Sequence, residues 1–343
     1  MNTSIKIQEN VSLAPFTTLR IGGPARYFVR AENERDVIEA FQFASKNDLN
    51  TFVLGGGSNI LVADAGFDGL VIQIALKGIS VGPSGITAQA GEDWDGFVAH
   101  CVSLGLAGVE CLSGISGYVG GTPVQNVGAY GQEVSESIVS VRCFDREAGQ
   151  IVELTNADCG FAYRTSIFNS TQKEKYVVLA VTYRLKQNGQ PKIVYKDLLE
   201  NFSDRQPTLE ETREAVLRIR RAKSMVIDAS DPNSLSAGSF FKNPIVSNEK
   251  YKQVSEDCYG PVPKFPVDDD HVKIPAAWLI ENSGFHKGYR LGNVGISTKH
   301  TLAIINCGGA KAKDVIELKE SIQAGVELKF GIFLQPEPIF VGF

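Results

Sequence analysis

Two glycine tracts constrain this chain more than any other feature. The first, Gly55-Gly56-Gly57-Ser58-Asn59, lies between two short apolar runs at 51–54 and 60–63; the second reads GLAGVECLSGISGYVGGTPVQNVGAYG from 105 to 131. Glycine loses more backbone freedom on folding than any other residue, so it is kept where the chain turns sharply or another group must come close. The second tract is too rich in glycine for the interior of a helix or strand and too apolar for a solvated linker, which makes it a buried functional loop. Successive small residues also let several backbone N–H groups converge on one anion. For 55–59 alone two readings stand, a diphosphate cradle and a tight turn between strands. Within the second tract, Gly120, Gly121, Thr122, Gln125, Asn126, Gly128, Ala129 and Tyr130 combine close-approach backbone with amides and a hydroxyl able to hydrogen-bond a flat heterocycle. The commoner nucleotide signatures are absent: there is no G-x-x-x-x-G-K-[ST] and no G-x-G-x-x-G leading from a strand into a helix.

Charge and cysteine usage narrow the function classes. The 343 residues carry 34 Lys+Arg against 39 Asp+Glu, a net charge of -5, which excludes a polycationic nucleic-acid binder. A hydrophobic content of 43% with 21% charged residues suits a globular protein with a sizeable core. Six scattered cysteines, with no C-x-x-C pair and no His at ligand spacing, argue against zinc and against a disulfide framework, and predict buried free thiols. No metal is expected. The start of the chain has neither the charged nor the apolar segment of an export signal, and no apolar run approaches the ~20 residues of a membrane span, so a cytoplasmic location without membrane partners is expected.

Along the chain, residues 33–48 read as a helix behind an Asn33 cap, with Val37, Ile38, Phe41 and Ala44 on one face. Strands are expected at 51–54, 60–63, 70–75, 86–90 and 138–144, and Asp93 opens a helix carrying Trp94, Phe97, Val98 and Cys101. From 176 to 186 the alternation predicts a strand with Val177, Leu179, Val181, Tyr183 and Leu185 facing one way. Thr208 and Glu211 form a capping box that starts a helix reaching about Lys223, and the basic run Arg218, Arg220, Arg221 and Lys223 reads by itself as a solvated face. A junction at 227–238, a helix at 276–282, a strand at 301–306, a long helix from Ala312 to about Lys329 and a closing strand at 338–341 complete an α+β pattern without regular βαβ alternation.

Seven ordered motifs then carry a resemblance. They are Thr18-Leu19-Arg20-Ile21-Gly22-Gly23-Pro24-Ala25, Leu54-Gly55-Gly56-Gly57-Ser58-Asn59, the stretch 117–133 (GYVGGTPVQNVGAYGQE), Tyr163-Arg164-x-Ser166-x-Phe168, Gly238-Ser239-Phe240-Phe241-Lys242-Asn243-Pro244, the stretch 278–288, and Pro336-Glu337-Pro338. Spanning nearly the whole chain, they resemble the UDP-N-acetylenolpyruvoylglucosamine reductases, the MurB flavoproteins of peptidoglycan precursor synthesis. The resemblance implies a vanillyl-alcohol-oxidase-type (PCMH-like) fold with two FAD-binding subdomains, 1–77 with 329–343 and 78–206, followed by an α+β substrate-binding domain at 222–328. It implies that 55–59 holds the diphosphate of a non-covalent FAD and that 120–130 lines the rest of the flavin site, where no Cys or His offers a covalent link. NADPH is implied as the electron donor, a small nucleotide-sugar as the substrate, and a monomer as the working form.

The same resemblance implies roles for single residues. Ser239 matches the proton donor, Glu337 the catalytic glutamate and Arg164 the arginine that grips the enolpyruvyl carboxylate, a task suited to a planar two-pronged donor. On the residues alone, Ser239 reads as a turn or cap hydroxyl, Glu337 as a surface acid between Pro336 and Pro338, and Arg164 as an ion-pair partner of Asp158 or a neighbour. Lys223 is implied as a contact to the substrate diphosphate. Tyr195 is implied as the tyrosine of a loop that closes over the substrate in the longer (type I) subtype, and Asn243 and Lys287 as polar contacts to the nucleotide sugar. Thr17, Ser113 and Thr122 depart from the family's usual Asn, Pro and smaller residue, which touches the detail of the flavin site. Trp278 reads as core, 268–270 (Asp-Asp-Asp) as a solvent loop, and His100, His271, His286 and His300 show no acid-base pattern. Two rival classes share much of this pattern, an FAD oxidase acting on another alcohol and a non-catalytic flavin sensor.

Overall fold

The computed structural model describes residues 5–203, 205–256, 258 and 260–343. The chain divides into two compact units, one drawn from 1–11, 24–57 and 67–226, the other from 12–23, 58–66 and 227–343.

In the first unit, helix α1 (Glu34–Lys46) begins where the Asn33 side chain accepts a hydrogen bond from the Asp36 N–H, and two acids in its first turn complement the helix dipole. Val37, Ala40 and Ala44 face inward with Val29, Ala31, Leu70, Ile72 and Ile74. The strand Phe67–Ile74 lies between Pro24–Ala31 and Thr51–Leu54, all parallel, with Leu54 level with Gln73 at the carboxyl end. Open parallel strands present ligands at that end, and there the chain enters the first glycine tract.

An antiparallel sheet follows, in the order Gln150–Thr155, Ile138–Asp145, Tyr176–Tyr183, Gly85–Gln89, Ile79–Gly82. Here the alternation reading needs correction. The strand ends at Tyr183 instead of running to Lys186, and every residue from Val177 to Tyr183 is buried. It is an inner strand covered on both faces. Helix α2 (Trp94–Ser103), capped by Asp93, stacks Trp94 and Phe97 with Tyr183 at ring separations of 5.0–6.0 Å. The Tyr183 hydroxyl reaches Thr122 in the second glycine tract at 2.9 Å. Two further helices, α3 (Lys196–Phe202) and α4 (Leu209–Ala222), pack through Leu198 and Phe202 against Ala215 and Val216. The capping box at Thr208 and Glu211 forms in both directions.

In the second unit, Ile60–Val62 pairs in parallel with Ile339–Val341. Short antiparallel strands (Arg290–Leu291, Val294–Ile296 and Ile304–Asn306; then Ile245–Ser247, His271–Lys273 and Phe265–Pro266) join helices α5 (Asn248–Glu256), α6 (Ala276–Glu281) and α7 (Ala312–Phe330). The strand expected from 301 starts only at Ile304, because 301–302 form a turn. Val315, Leu318, Ile322 and Val326 of α7 enter the core, and the Asp64 carboxylate accepts from the Ala312 and Lys313 N–H groups at its first turn. Trp278 stacks on Phe330 at 5.5 Å, a core residue as expected.

Candidate active site

The two glycine tracts meet in the first unit. A Cβ on Gly56 would stand 2.6 Å from the Gly117 Cα, nearer than real side chains come, so the two backbones cross in contact because neither carries a side chain. Gly120 is locked likewise, its missing Cβ falling 2.6 Å from that of Ala90. Gly55 and Gly121 differ: a Cβ on either would meet no heavy atom within 4 Å. Backbone hemmed in on one side and open on the other is a cradle into which a diphosphate and a flat ring fit, so these residues suit FAD.

The polar groups of the second tract work mostly inside the protein. Thr122 Oγ1 bonds the Val119 carbonyl at 2.8 Å besides Tyr183, and its residue is 3% exposed. Asn126, in left-handed backbone at φ 45°, donates from Nδ2 to Glu133 and to the Ala162 carbonyl and accepts from the Ser135 N–H. Their side chains hold the loop in shape.

Arg164 is seated on this same loop. Its Nη2 donates to the Gly128 carbonyl at 2.8 Å, its ring neighbour is Tyr163, and its own carbonyl accepts from Asn169 Nδ2. The Ser166 hydroxyl donates to the Val124 carbonyl at 2.6 Å, fixing the motif from its other end. Arg164 has φ 53°, a backbone region unusual for a residue with a long side chain and one that collects at functional sites. The Asp158 carboxylate accepts from the Thr155 N–H and hydroxyl.

Around the end of α4 a polar cluster forms. Tyr130, at φ 49°, meets the Tyr195 ring edge-on at 5.4 Å. Lys223, the residue that closes α4, places its Nζ 2.8 Å from Asp197 Oδ2. Burial pulls the Lys223 ammonium down, but Asp197 and Tyr130 outweigh it and its pKa is raised. Arg220 corrects the solvated-face reading of the basic run. Its Nη2 donates to the Met225 carbonyl, its Nε is buried without a partner among the described residues, and burial pulls its pKa down while Tyr130 opposes.

In the second unit the Ser239 and Glu337 segments lie side by side. Phe241 pairs with Pro336 in an antiparallel bridge, the Glu337 N–H donates to the Phe240 carbonyl at 2.9 Å, and the Lys242 N–H donates to Gln335. Ser239 thus stands one register position from the residue opposite Glu337, and it caps no helix. Asn59 is stitched to the same acid: its Nδ2 donates to the Glu337 carbonyl at 3.3 Å, and its own carbonyl accepts from the Ile339 N–H. Asn243 Oδ1 accepts from the Ala276 N–H at 2.9 Å and so starts α6, while Lys287 is exposed.

Residues 231–341 match the family model for the C-terminal domain of UDP-N-acetylenolpyruvoylglucosamine reductase, and 25–155 match the FAD binding domain family. The reductase of that name from Thermobifida fusca is 45% identical over 97% of both chains, and that of Streptomyces coelicolor 44% identical over 96% of this chain and 89% of its own. The chain belongs to the UDP-N-acetylenolpyruvoylglucosamine reductase family. A crystal structure of the Thermus caldophilus member superposes with a TM-score of 0.70 at 26% identity, covering 98% of this chain and 99% of that one. An FAD-dependent oxidoreductase fold, α+β with an FAD binding domain and the family's C-terminal domain, is therefore shown, as the motifs implied.

One buried acid that shapes the second glycine tract escaped the sequence reading of this family member. Glu110 is 1% exposed, and its carboxylate accepts from the Gly108 and Lys192 N–H groups and from Gln132 Nε2, at 2.7, 3.1 and 3.3 Å. It ties the second glycine tract to the segment that leads into Tyr195. The signal was an acid set among apolar neighbours in Gly108-Val109-Glu110-Cys111-Leu112, where a solvated Glu has no reason to be.

Proposed function

We propose that this chain reduces UDP-N-acetylglucosamine enolpyruvate to UDP-N-acetylmuramate with NADPH, the UDP-N-acetylmuramate dehydrogenase reaction of peptidoglycan precursor synthesis. FAD, when bound, would supply the redox chemistry, a hydride relay from NADPH to the enolpyruvyl methylene carbon. The protein's task is to bind, orient and protonate. Arg164, clamped by Gly128 and held in an unusual backbone, presents a guanidinium fit to grip the enolpyruvyl carboxylate in two bonds. Charge that grows on that carboxylate as hydride arrives is stabilised by Arg164, with Glu337 as its acidic counterpart. Ser239 hands its proton to the carbon next to the one that received hydride. A hydroxyl is a weak acid, yet an adjacent carbanion is basic enough to take its proton.

The observation that carries this reading is the crossing of Gly56 and Gly117, with Arg164 anchored on the second of those two backbones. Residues 55–59 then hold the diphosphate and 120–130 the remainder of the cofactor, with Lys223, Tyr195, Asn243 and Lys287 as contacts to the nucleotide sugar. The functional division follows the motifs: 1–77 with 329–343 and 78–206 for the cofactor, 222–328 for the substrate. Among the described residues no helix is long and apolar enough to cross a membrane; a nucleotide-sugar substrate and NADPH favour a cytoplasmic location, and a monomer is the working form expected from the sequence. The test is Ser239→Ala. It should keep its flavin and still be bleached by NADPH under nitrogen, but recolour on adding the enolpyruvyl nucleotide about 10²–10⁴-fold more slowly. Equal loss in both half-reactions would refute the role of Ser239.

A further inference from the structure

Lys223 is the residue read above as a contact to the substrate diphosphate, and the structure shows its ammonium already facing an anion. Asp197 Oδ2 lies 2.8 Å away, in the first turn of α3, two residues after Tyr195, which forms the N-cap of that helix. Both side chains keep more than a third of their surface in solvent, at 40% and 35%, so a solute can reach the pair. The helix beneath is firmly seated: Leu198 is fully buried and Phe202 nearly so, both against Ala215 and Val216 of α4.

We propose that Asp197 is a specificity-determining residue of this reaction, an internal anion that holds the Lys223 ammonium until a phosphate group takes its place. The proposal rests on the reading of Lys223 as the diphosphate contact. A carboxylate brings one negative charge, whereas a diphosphate ester brings two and more acceptor oxygens, so it outcompetes Asp197 for the same ammonium. A neutral nucleoside does not, and finds Lys223 already paired. Because α3 is anchored through Leu198 and Phe202, the exchange needs only a rotation of the Asp197 side chain. Asp197 thereby lowers the affinity of every ligand that uses Lys223 and leaves the others alone, and an anion that brings no more charge than a carboxylate gains nothing at the lysine, which sets a threshold between weak anions and a diphosphate.

The test measures binding of UDP and of uridine to the oxidised, FAD-loaded protein by calorimetry. In Asp197→Asn, UDP should bind about two- to fivefold more tightly, the range expected when a partly exposed ion pair no longer competes. Uridine affinity should stay unchanged, which also shows that the variant is folded around its site. In a Lys223→Met background the Asp197→Asn change should have no effect. Weaker or unaltered UDP binding in Asp197→Asn overturns the proposal, as does a tightening that persists without Lys223. If Lys223→Met binds UDP as well as the parent does, the diphosphate reading itself fails, a result distinct from any produced by Asp197→Asn alone.

Discussion

Thr122 and Asn126 show how far a side chain's partners can lie from the motif that contains it. Both lie in the tract expected to touch the flavin, yet their side chains are occupied by Tyr183, Val119, Glu133 and Ala162. Their partners lie up to 61 residues away, so nothing in the local pattern announces them. Thr122→Val should therefore act on stability: it strands the buried Tyr183 hydroxyl, costing about 1–3 kcal/mol in urea unfolding. Gly56→Ala tests the crossing of the tracts. Its new methyl collides with Gly117 backbone, which has no flexible end to yield, so about 1–3 kcal/mol should be lost and purified protein should hold less flavin by absorbance. Asp95 gives a pH test. Burial, the largest influence, pushes its pKa up, but the two-pronged Arg213 contact and the Gly114 N–H outweigh burial and hold it below the usual carboxylate range. A depressed folded pKa adds stability that is complete above the unfolded value of about 4 and is lost as pH falls through the folded value. Asp95→Asn should accordingly be less stable than the parent at pH 7, with the gap narrowing in urea titrations as pH falls below about 4.

At the level of helices and strands, sequence reading succeeded where one force dominates and failed where two faces compete. Helix α1 was legible from its cap and its apolar spacing, and the box that starts α4 from Thr208 and Glu211 alone. Thr208→Ala should cost about 0.5–2 kcal/mol, read in thermal or urea unfolding, by removing the acceptor for the Glu211 N–H. The strand 176–183 misled because alternation looks for one wet face, and this strand has none. Arg220 misled for the opposite reason, since charge suggested solvent. Yet it stands four residues past Val216 and eight past Thr212, on the face of α4 that turns inward, and helical spacing was the better guide. In the segments proposed as catalytic, the motifs singled out Ser239, Glu337 and Arg164. Backbone pairing of Phe241 with Pro336, which makes neighbours of two of them, joins segments too far apart in sequence for any local pattern to reveal.

For the molecule as a whole, the cofactor should be part of the fold's stability. Protein stripped of flavin should unfold at lower temperature and recover on titration with FAD, by about 2.7 kcal/mol at a hundredfold excess over the dissociation constant. Thiol chemistry gives a second global readout. Cys101, Cys111 and Cys159 are buried and desolvation pushes their pKa up to about 12, and that of buried Cys143 is raised as well. A disulfide reagent should label only Cys258 and Cys307 in the native state and reach the other four upon unfolding.

The bond between Asn59 and Glu337 spans 278 positions of chain, and the strand at 60–62 is completed only by 339–341. A ribosome that has delivered the first glycine tract has thus delivered half of a clasp whose other half is not yet synthesised. Pairing at residues 59–62 therefore waits for residues 337–341, and any truncation or insertion near residue 337 is an intervention at residue 59.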